Sequence, residues 1–260
     1  MQHKKFHRRF WSAIVNRLRL IPFMFAPRSI FPGTYRAYIP ERYWNHTKND
    51  GPSPQEPQGG RDGFVAGNRM NNGGDMPRYY FFLLVGEQIA KEGIRGDVAE
   101  LGVYKGNTAV LLAQMARQFG ATAYLFDTFG GFSASDLTGI DADKAKNAQF
   151  DDTSLEQVRS LVGQQCVKFV QGRFPDTLAQ VPDDARFSVV HIDCDLYAPF
   201  VAALNYFYPR LVRGAFLIMH DYSSRSWNGA EKAVDEFLAD KPEKIIPLPY
   251  KSGTAIIRKV

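Results

Sequence analysis

Acids and histidines recur in this chain where they could handle a cation and a proton. His191-Ile-Asp193-Cys-Asp195-Leu-Tyr197 and Met219-His220-Asp221-Tyr222 each close an apolar run. Asp193 and Asp195 lie two positions apart, so an extended backbone presents both carboxylates on one side. Like charges that close need a cation or a proton between them. Asp193, His220 and Asp221 make an O/N/O donor set for a divalent ion that keeps positions open for substrate oxygens. Such an ion answers a chemical need. A sugar or alcohol hydroxyl holds its proton too tightly at neutral pH, and a metal on its oxygen lowers that pKa. Asp195, by position, is then the candidate general base. The plain alternative is a set of surface acids capping helices, with His220 an imidazole at the core edge. Both runs at adjacent strand ends favour a site.

A second stretch has the form of a cofactor turn. Asp97-Val-Ala-Glu100-Leu-Gly102-Val103-Tyr104-Lys105-Gly106-Asn107-Thr108 is an apolar run that ends in an acid, turns on two glycines and opens into an apolar helix. Strand, glycine turn and helix bring backbone close to a ligand in open α/β sheets. The G-x-G-x-x-G order of a dinucleotide site is absent, and Lys105 precedes Gly106 where a P-loop needs it after. An acid two residues before the first glycine suits a nucleoside with hydroxyls and a cationic tail, as in S-adenosylmethionine. Asp127 closes the next apolar run and is placed to accept from both ribose hydroxyls. Thr128-Phe129-Gly130-Gly131-Phe132 follows as a flexible aromatic wall. Capping of the next segment is the structural alternative for Asp127.

Periodicity predicts the elements that carry these residues. Helices are expected over 78–93, 109–119, 154–162 (capped by Asp152 or Thr153), 199–211 and 229–238. Strands are expected over 98–103, 123–126, 167–170, 187–192 and 215–219, with a terminal hairpin of 244–248 and 254–257 and a loop or short helix at 141–149. This alternation predicts an α/β fold: a Rossmann-like, doubly wound, mostly parallel seven-stranded sheet with an antiparallel C-terminal strand. Glu100, Asp127, Asp193 with Asp195, and His220 with Asp221 then share one edge of the sheet.

Residues 1–77 read as an N-terminal appendage to a domain over 78–260. Phe10, Trp11, Ile14, Val15 and Leu18 at helical spacing, among Arg8, Arg9, Arg17 and Arg19, predict a basic amphipathic helix over 7–21. It docks on its own domain or on a second subunit, or else touches an anionic membrane surface. Residues 45–77, rich in Gly, Pro, Asn and Gln, read as a long loop, either linker or lid. The whole-chain charge is +5, yet residues 1–42 carry nine basic residues against Glu41, so the remainder carries −3. That distribution speaks against a nucleic-acid partner for the main domain. Two cysteines, Cys166 and Cys194, form no disulfide framework and suggest a reducing, cytoplasmic setting.

Five runs in order resemble the macrocin O-methyltransferase family. They are Glu100-Leu-Gly-Val-Tyr-Lys-Gly106, Asp127-Thr-Phe-Gly-Gly-Phe132, Gly172-Arg-Phe-Pro-Asp-Thr-Leu178, His191-Ile-Asp-Cys-Asp-Leu-Tyr197, and Asp221-Tyr222 followed by Gly229-Ala-Glu-Lys-Ala-Val-Asp-Glu-Phe237. The resemblance implies S-adenosylmethionine- and magnesium-dependent methylation of sugar hydroxyls, with homo-oligomeric assembly expected. It implies that Glu100 to Gly106 and Asp127 to Gly131 bind the cofactor, and that Gly172 and Arg173 border the adenine. Asp193 and Asp221 become metal ligands, and Asp195 takes the base position. One departure stands out: the family places two adjacent acids before the tyrosine, and here the first is His220. A neutral imidazole favours softer ions, so manganese competes with magnesium. Rival readings are a catechol or phenol O-methyltransferase, and a cofactor-binding scaffold that no longer catalyses. Nucleic-acid amino-methylation lacks its Asn/Asp-Pro-Pro-aromatic motif.

Overall fold

The computed structural model describes residues 40, 43, 60–72, 75–133, 135–144, 149–249 and 251–260. The chain divides into two compact units, 1–49 and 50–260. The helix expected over 7–21 and the loop over 45–59 lie outside the described residues. Among the described residues, no helix is long and apolar enough to cross a membrane.

The elements of the larger unit are α1 (Gly60–Val65), α2 (Arg69–Asn72), α3 (Met76–Glu92), β1 (Asp97–Leu101), α4 (Asn107–Phe119), β2 (Ala123–Asp127), α5 (Leu155–Val162) and β3 (Val167–Gln171). They continue with β4 (Phe187–Ile192), α6 (Tyr197–Phe207), β5 (Leu211–His220), α7 (Asn228–Leu238), β6 (Ile246–Leu248) and β7 (Thr254–Arg258). The seven strands pair in the order β3-β2-β1-β4-β5-β7-β6. The first five run parallel, and β7 lies antiparallel between β5 and β6. The sheet expected from the alternation is therefore the sheet observed.

Burial follows the strand period. All six residues of β4 are buried, as a central parallel strand covered on both faces requires. Ala99 and Leu101 of β1, Val190 and Ile192 of β4, and Leu217 and Met219 of β5 share one core with Phe200, Leu204 and Phe207 of α6 and Val234 of α7. Glu100 and His191 alternate with these and so point to the opposite face. There Phe82 of α3 sets its ring edge-on to His191, centroids 5.1 Å apart.

Several boundaries shift for local reasons. Helix α3 starts at Met76 with Pro77 in its first turn, where a missing N–H costs nothing, and Gly93 closes it in the left-handed region. The helix expected over 199–211 stops at Phe207, because Pro209 cannot continue it, and β5 then begins at Leu211. Helix α5 is capped by neither Asp152 nor Thr153 but by Ser154, whose Oγ accepts from Gln157 N at 3.2 Å. The largest correction concerns 60–72, expected as loop and found as α1 and α2. Asn107 Nδ2 donates to Gly63 O (3.0 Å) and Ala66 O (2.8 Å), pinning the end of α1 to the start of α4.

Candidate active site

The register of the sheet brings the chemistry together before any side chain is considered. Glu100 of β1 pairs with His191 of β4, and Ile192 of β4 pairs with Met219 of β5. Asp193 and His220 thus leave the sheet side by side at the carboxyl edge. A cavity of about 700 Å³ opens over that edge, within the size range of small-molecule sites. Glu100, Gly102, Val103, Tyr104, Asn107, Thr108, Asp127, Thr128, Gly131, Gly172, Arg173, Asp193, Asp195, His220 and Asp221 all line it.

The glycine turn is built by close approach. A Cβ on Gly102 would stand 2.0 Å from the Asp193 carbonyl oxygen, and its φ is +90°, so only glycine lets the β1 turn lie against the end of β4. Asp127 braces the same turn: Oδ2 accepts from Val103 N (2.7 Å) and Tyr104 N (2.8 Å), Oδ1 from Phe129 N (2.7 Å). Both oxygens of Asp127, expected to accept from the ribose hydroxyls, also accept backbone amides, and Asp127 lines the cavity. The side-chain amide of Asn107 is likewise engaged with α1.

Four expected cofactor contacts do not line the cavity. Lys105 turns away to Asp152, Nζ to Oδ2 2.6 Å. Gly106 packs under α5, where a Cβ would come within 2.9 Å of Val158 Cγ1. Phe129 is buried with its ring edge toward Phe169, and Gly130 is exposed.

Below the turn, Glu100 and His191 form a buried pair, Oε1 to Nδ1 2.9 Å. Burial, then the Asp193 charge, pushes the Glu100 carboxyl well above its usual range, and burial lowers His191 to about 3. Burial thus favours the uncharged form of both groups. Glu100 Oε2 and His191 Nε2 are buried without hydrogen-bond partners among the described residues.

The three proposed ligands meet in one cluster. His220 Nδ1 lies 3.0 Å from Asp193 Oδ1 and 3.1 Å from Asp221 Oδ2. Three donor atoms of this triad fall within 4.8 Å of one another. Burial alone would lower the imidazole, but the carboxylates of Asp193 and Asp221 outweigh it and raise it to about 10. Reciprocally, burial would raise Asp193, yet His220 above all, helped by Arg78, holds it well below the ordinary carboxylate range. Asp195 stands apart: burial, then the charges of Asp221 and Asp193, drives its carboxyl well above that range.

Strain gathers at the same place. Tyr104, Phe150, Asp195, Asp221 and Ser252 line the cavity and all have φ between +49° and +62°. Each such non-glycine residue costs about 1–2 kcal/mol, and strain of this kind concentrates at functional sites.

The structure adds residues that the sequence does not single out. Arg78 forms ion pairs with Asp75 (3.0 Å) and Asp193 (3.3 Å). An arginine directly before the aromatic run Tyr79-Tyr-Phe-Phe82 was the available signal. Phe132 and Phe150, from the β2–α5 connection, and Trp227, from the β5–α7 loop, make an aromatic wall with centroids 5.2–6.3 Å apart, two of the three pairs edge-to-face and the third tilted. Of these three the sequence marks only Phe132, in the aromatic wall expected after Asp127, and no local pattern announces the convergence.

Comparison with known proteins agrees with this geometry. The chain is 32% identical over 150 residues to an 8-demethyl-8-(2,3-dimethoxy-alpha-L-rhamnosyl)-tetracenomycin-C 4'-O-methyltransferase of Streptomyces olivaceus, covering 53% of this chain and 57% of that protein. It is 30% identical over 152 residues to a mycinamicin III 3''-O-methyltransferase of Micromonospora griseorubida, covering 52% and 59%. The match thus spans less than two thirds of the length of these relatives. Among solved structures, the O-methyltransferase NovP superposes with a TM-score of 0.59 at 24% identity, covering 69% of this chain and 78% of NovP. The calicheamicin methyltransferase CalS11 gives 0.56 at 22%, covering 70% and 79%. Both share the fold. Residues 71–248 match the macrocin O-methyltransferase (TylF) family, and with that span, taking in every strand-end acid of the cavity, the chain belongs to this family.

Proposed function

We propose that this protein is an S-adenosylmethionine-dependent O-methyltransferase whose acceptor is a hydroxyl of a sugar or glycosylated metabolite. The observation that carries the reading is the gathering of Glu100, Asp193, Asp195, His220 and Asp221 in one cavity at the carboxyl edge of the sheet. The residues fit both the cofactor and a divalent ion. The turn from Gly102 to Tyr104 lines the cavity, and Glu100 offers a buried oxygen that has no hydrogen-bond partner among the described residues. Asp193, His220 and Asp221 offer two oxygens and a nitrogen, a set better suited to manganese than to magnesium.

When bound, S-adenosylmethionine supplies an activated methyl group and a divalent ion makes the acceptor hydroxyl more acidic. The turn from Gly102 to Tyr104, braced by Asp127, orients the methyl donor. Asp193, His220 and Asp221 would hold the divalent ion beside the acceptor hydroxyl, and much of the rate would then come from alignment. Asp195, in its carboxylate form, takes the hydroxyl proton at a carboxyl oxygen, and its raised pKa makes it the stronger base. The aromatic wall excludes water. That wall would also stack on a planar acceptor, which favours a phenol as the second reading.

Calorimetric titration of S-adenosylhomocysteine with magnesium, manganese or chelator is the test. Cofactor binding supports the reading and leads to an acceptor panel of glycosides and phenols. No binding under any condition points to a scaffold. We further propose a homo-oligomer, and a membrane-surface contact through residues 7–21. Flotation with liposomes, with and without residues 1–25, decides the contact: equal flotation ends it.

A further inference from the structure

Three groups hold the Arg78 guanidinium in place. Its Nε lies 3.0 Å from Asp75 Oδ2, Nη2 donates to Asn72 Oδ1 at 3.2 Å, and Nη1 donates to Asp193 Oδ2 at 3.3 Å. The Arg78 side chain is 9% exposed and that of Asp75 1%. Swinging the guanidinium away would take the nearest cation from a buried carboxylate, so the cation stays where it is. Asn72 is fixed in turn, its Nδ2 donating to Phe64 O at 2.8 Å.

The far end of this chain of contacts is a proposed metal ligand. Asp193 divides its oxygens: Oδ2 faces Arg78, and Oδ1 faces His220 at 3.0 Å. The carboxylate therefore cannot turn both oxygens toward the triad. A fixed positive charge also stands one carboxylate away from where the ion would sit. Asp75 offsets part of that charge, but it meets the guanidinium at Nε while Nη1 meets the ligand carboxylate itself, so the site is less negative than two acids and a histidine alone.

We propose that Arg78 is a positioning residue of the divalent site, presenting Asp193 through Oδ1 and holding the site's affinity for divalent cations down. The inference rests on the metal reading given above. Arg78 acts only through Asp193.

Manganese titration tests it, with the ion as its own probe and no acceptor needed. Wild type is compared with R78K, which keeps the charge, and R78Q, which keeps a donor for Asp193 Oδ2 but removes the charge. The double variant D75N/R78Q leaves no buried acid unpaired should R78Q fail to fold. S-adenosylhomocysteine binding and thermal melting check each fold. R78Q should bind manganese about tenfold more tightly or better, since a like charge near the ion has gone, and the double variant, which also loses the Asp75 charge, should gain by a smaller factor. R78K should stay within about threefold of wild type. A merely structural arginine predicts the reverse, because a loosened Asp193 weakens the site. Equal or weaker manganese binding by folded R78Q or D75N/R78Q overturns the proposal and leaves the metal site standing. Binding that emerges only on loss of Arg78 supports it. No manganese binding by any of the proteins removes both the site and the proposal.

Discussion

At the residue scale, the cavity separates groups of one chemical type by environment. Asp193 is held ionised by its cationic neighbours, while Asp195, two positions on and left-handed, is pushed toward the neutral form by burial and by Asp221. A ligand and a base need opposite tendencies, so this divergence suits the proposed roles. Asp195→Asn should therefore lower kcat by about 10²–10³ while leaving S-adenosylhomocysteine affinity within about twofold; unchanged turnover in the acceptor assay would remove Asp195 as the base. His220 carries a second prediction. Raised to about 10 between two carboxylates, its imidazole is protonated at about pH 7.5. A metal needs the Nδ1 lone pair, so manganese binding should release close to one proton there, and affinity should rise with pH until about pH 10. Calorimetry in two buffers of different ionisation enthalpy measures that proton directly; no buffer dependence would mean that His220 is not a ligand.

At the scale of elements, two turns decide where the reaction centre can form. The β1–α4 turn touches the end of β4 through Gly102, so the cofactor half and the acid half of the cavity are one packed unit. Gly102→Ala would force its new methyl into the Asp193 carbonyl and hold alanine at a positive φ. The expected cost is about 3 kcal/mol or more, read as a melting point lower by roughly 6–12 °C in a chain of this size together with lost cofactor binding. Gly130→Ala is the control. A methyl added at Gly130 would meet nothing within 4 Å, and the change should stay within about 0.5 kcal/mol. Equal effects of the two changes would show that the Gly102 contact does not set the turn. The second junction joins α1, α2 and α3 to the site, through Asn107 to the end of α1 and through Asn72 and Arg78 to Asp193. Part of the stretch that composition marks as loop is thus a wall of the cavity.

At the scale of the whole molecule, the fold places a sheet of seven strands beneath the cavity and spends its irregular backbone around the rim. Loops after β1, β2, β4 and β5 all contribute lining residues. Cofactor binding should couple to global stability, because a ligand held only by the folded form stabilises by mass action. S-adenosylhomocysteine at about a hundred times its Kd should add about 2.7 kcal/mol and raise the melting point by roughly 5–10 °C. A scan showing no shift at that saturation would contradict a preformed cofactor site.

The sequence by itself determined the β/α alternation, the parallel sheet with its antiparallel last strand, and the strand-end positions of Glu100, Asp127, Asp193, His220 and Asp221. These follow from local apolar periodicity and from acids that close apolar runs, both written in consecutive residues. It could not determine how the acids are used. Asp127 braces backbone amides, Lys105 and Gly106 face away from the cavity, and Arg78 reaches a carboxylate 115 positions along the chain. Tertiary structure decided these, because hydrogen bonding, burial and charge pairing depend on which loops meet in space. The helices over 60–72 belong to the same class. Glycine and asparagine there predict a loop on local propensity, and the packing of α1 against α4, fastened by the Asn107 amide, overrides it.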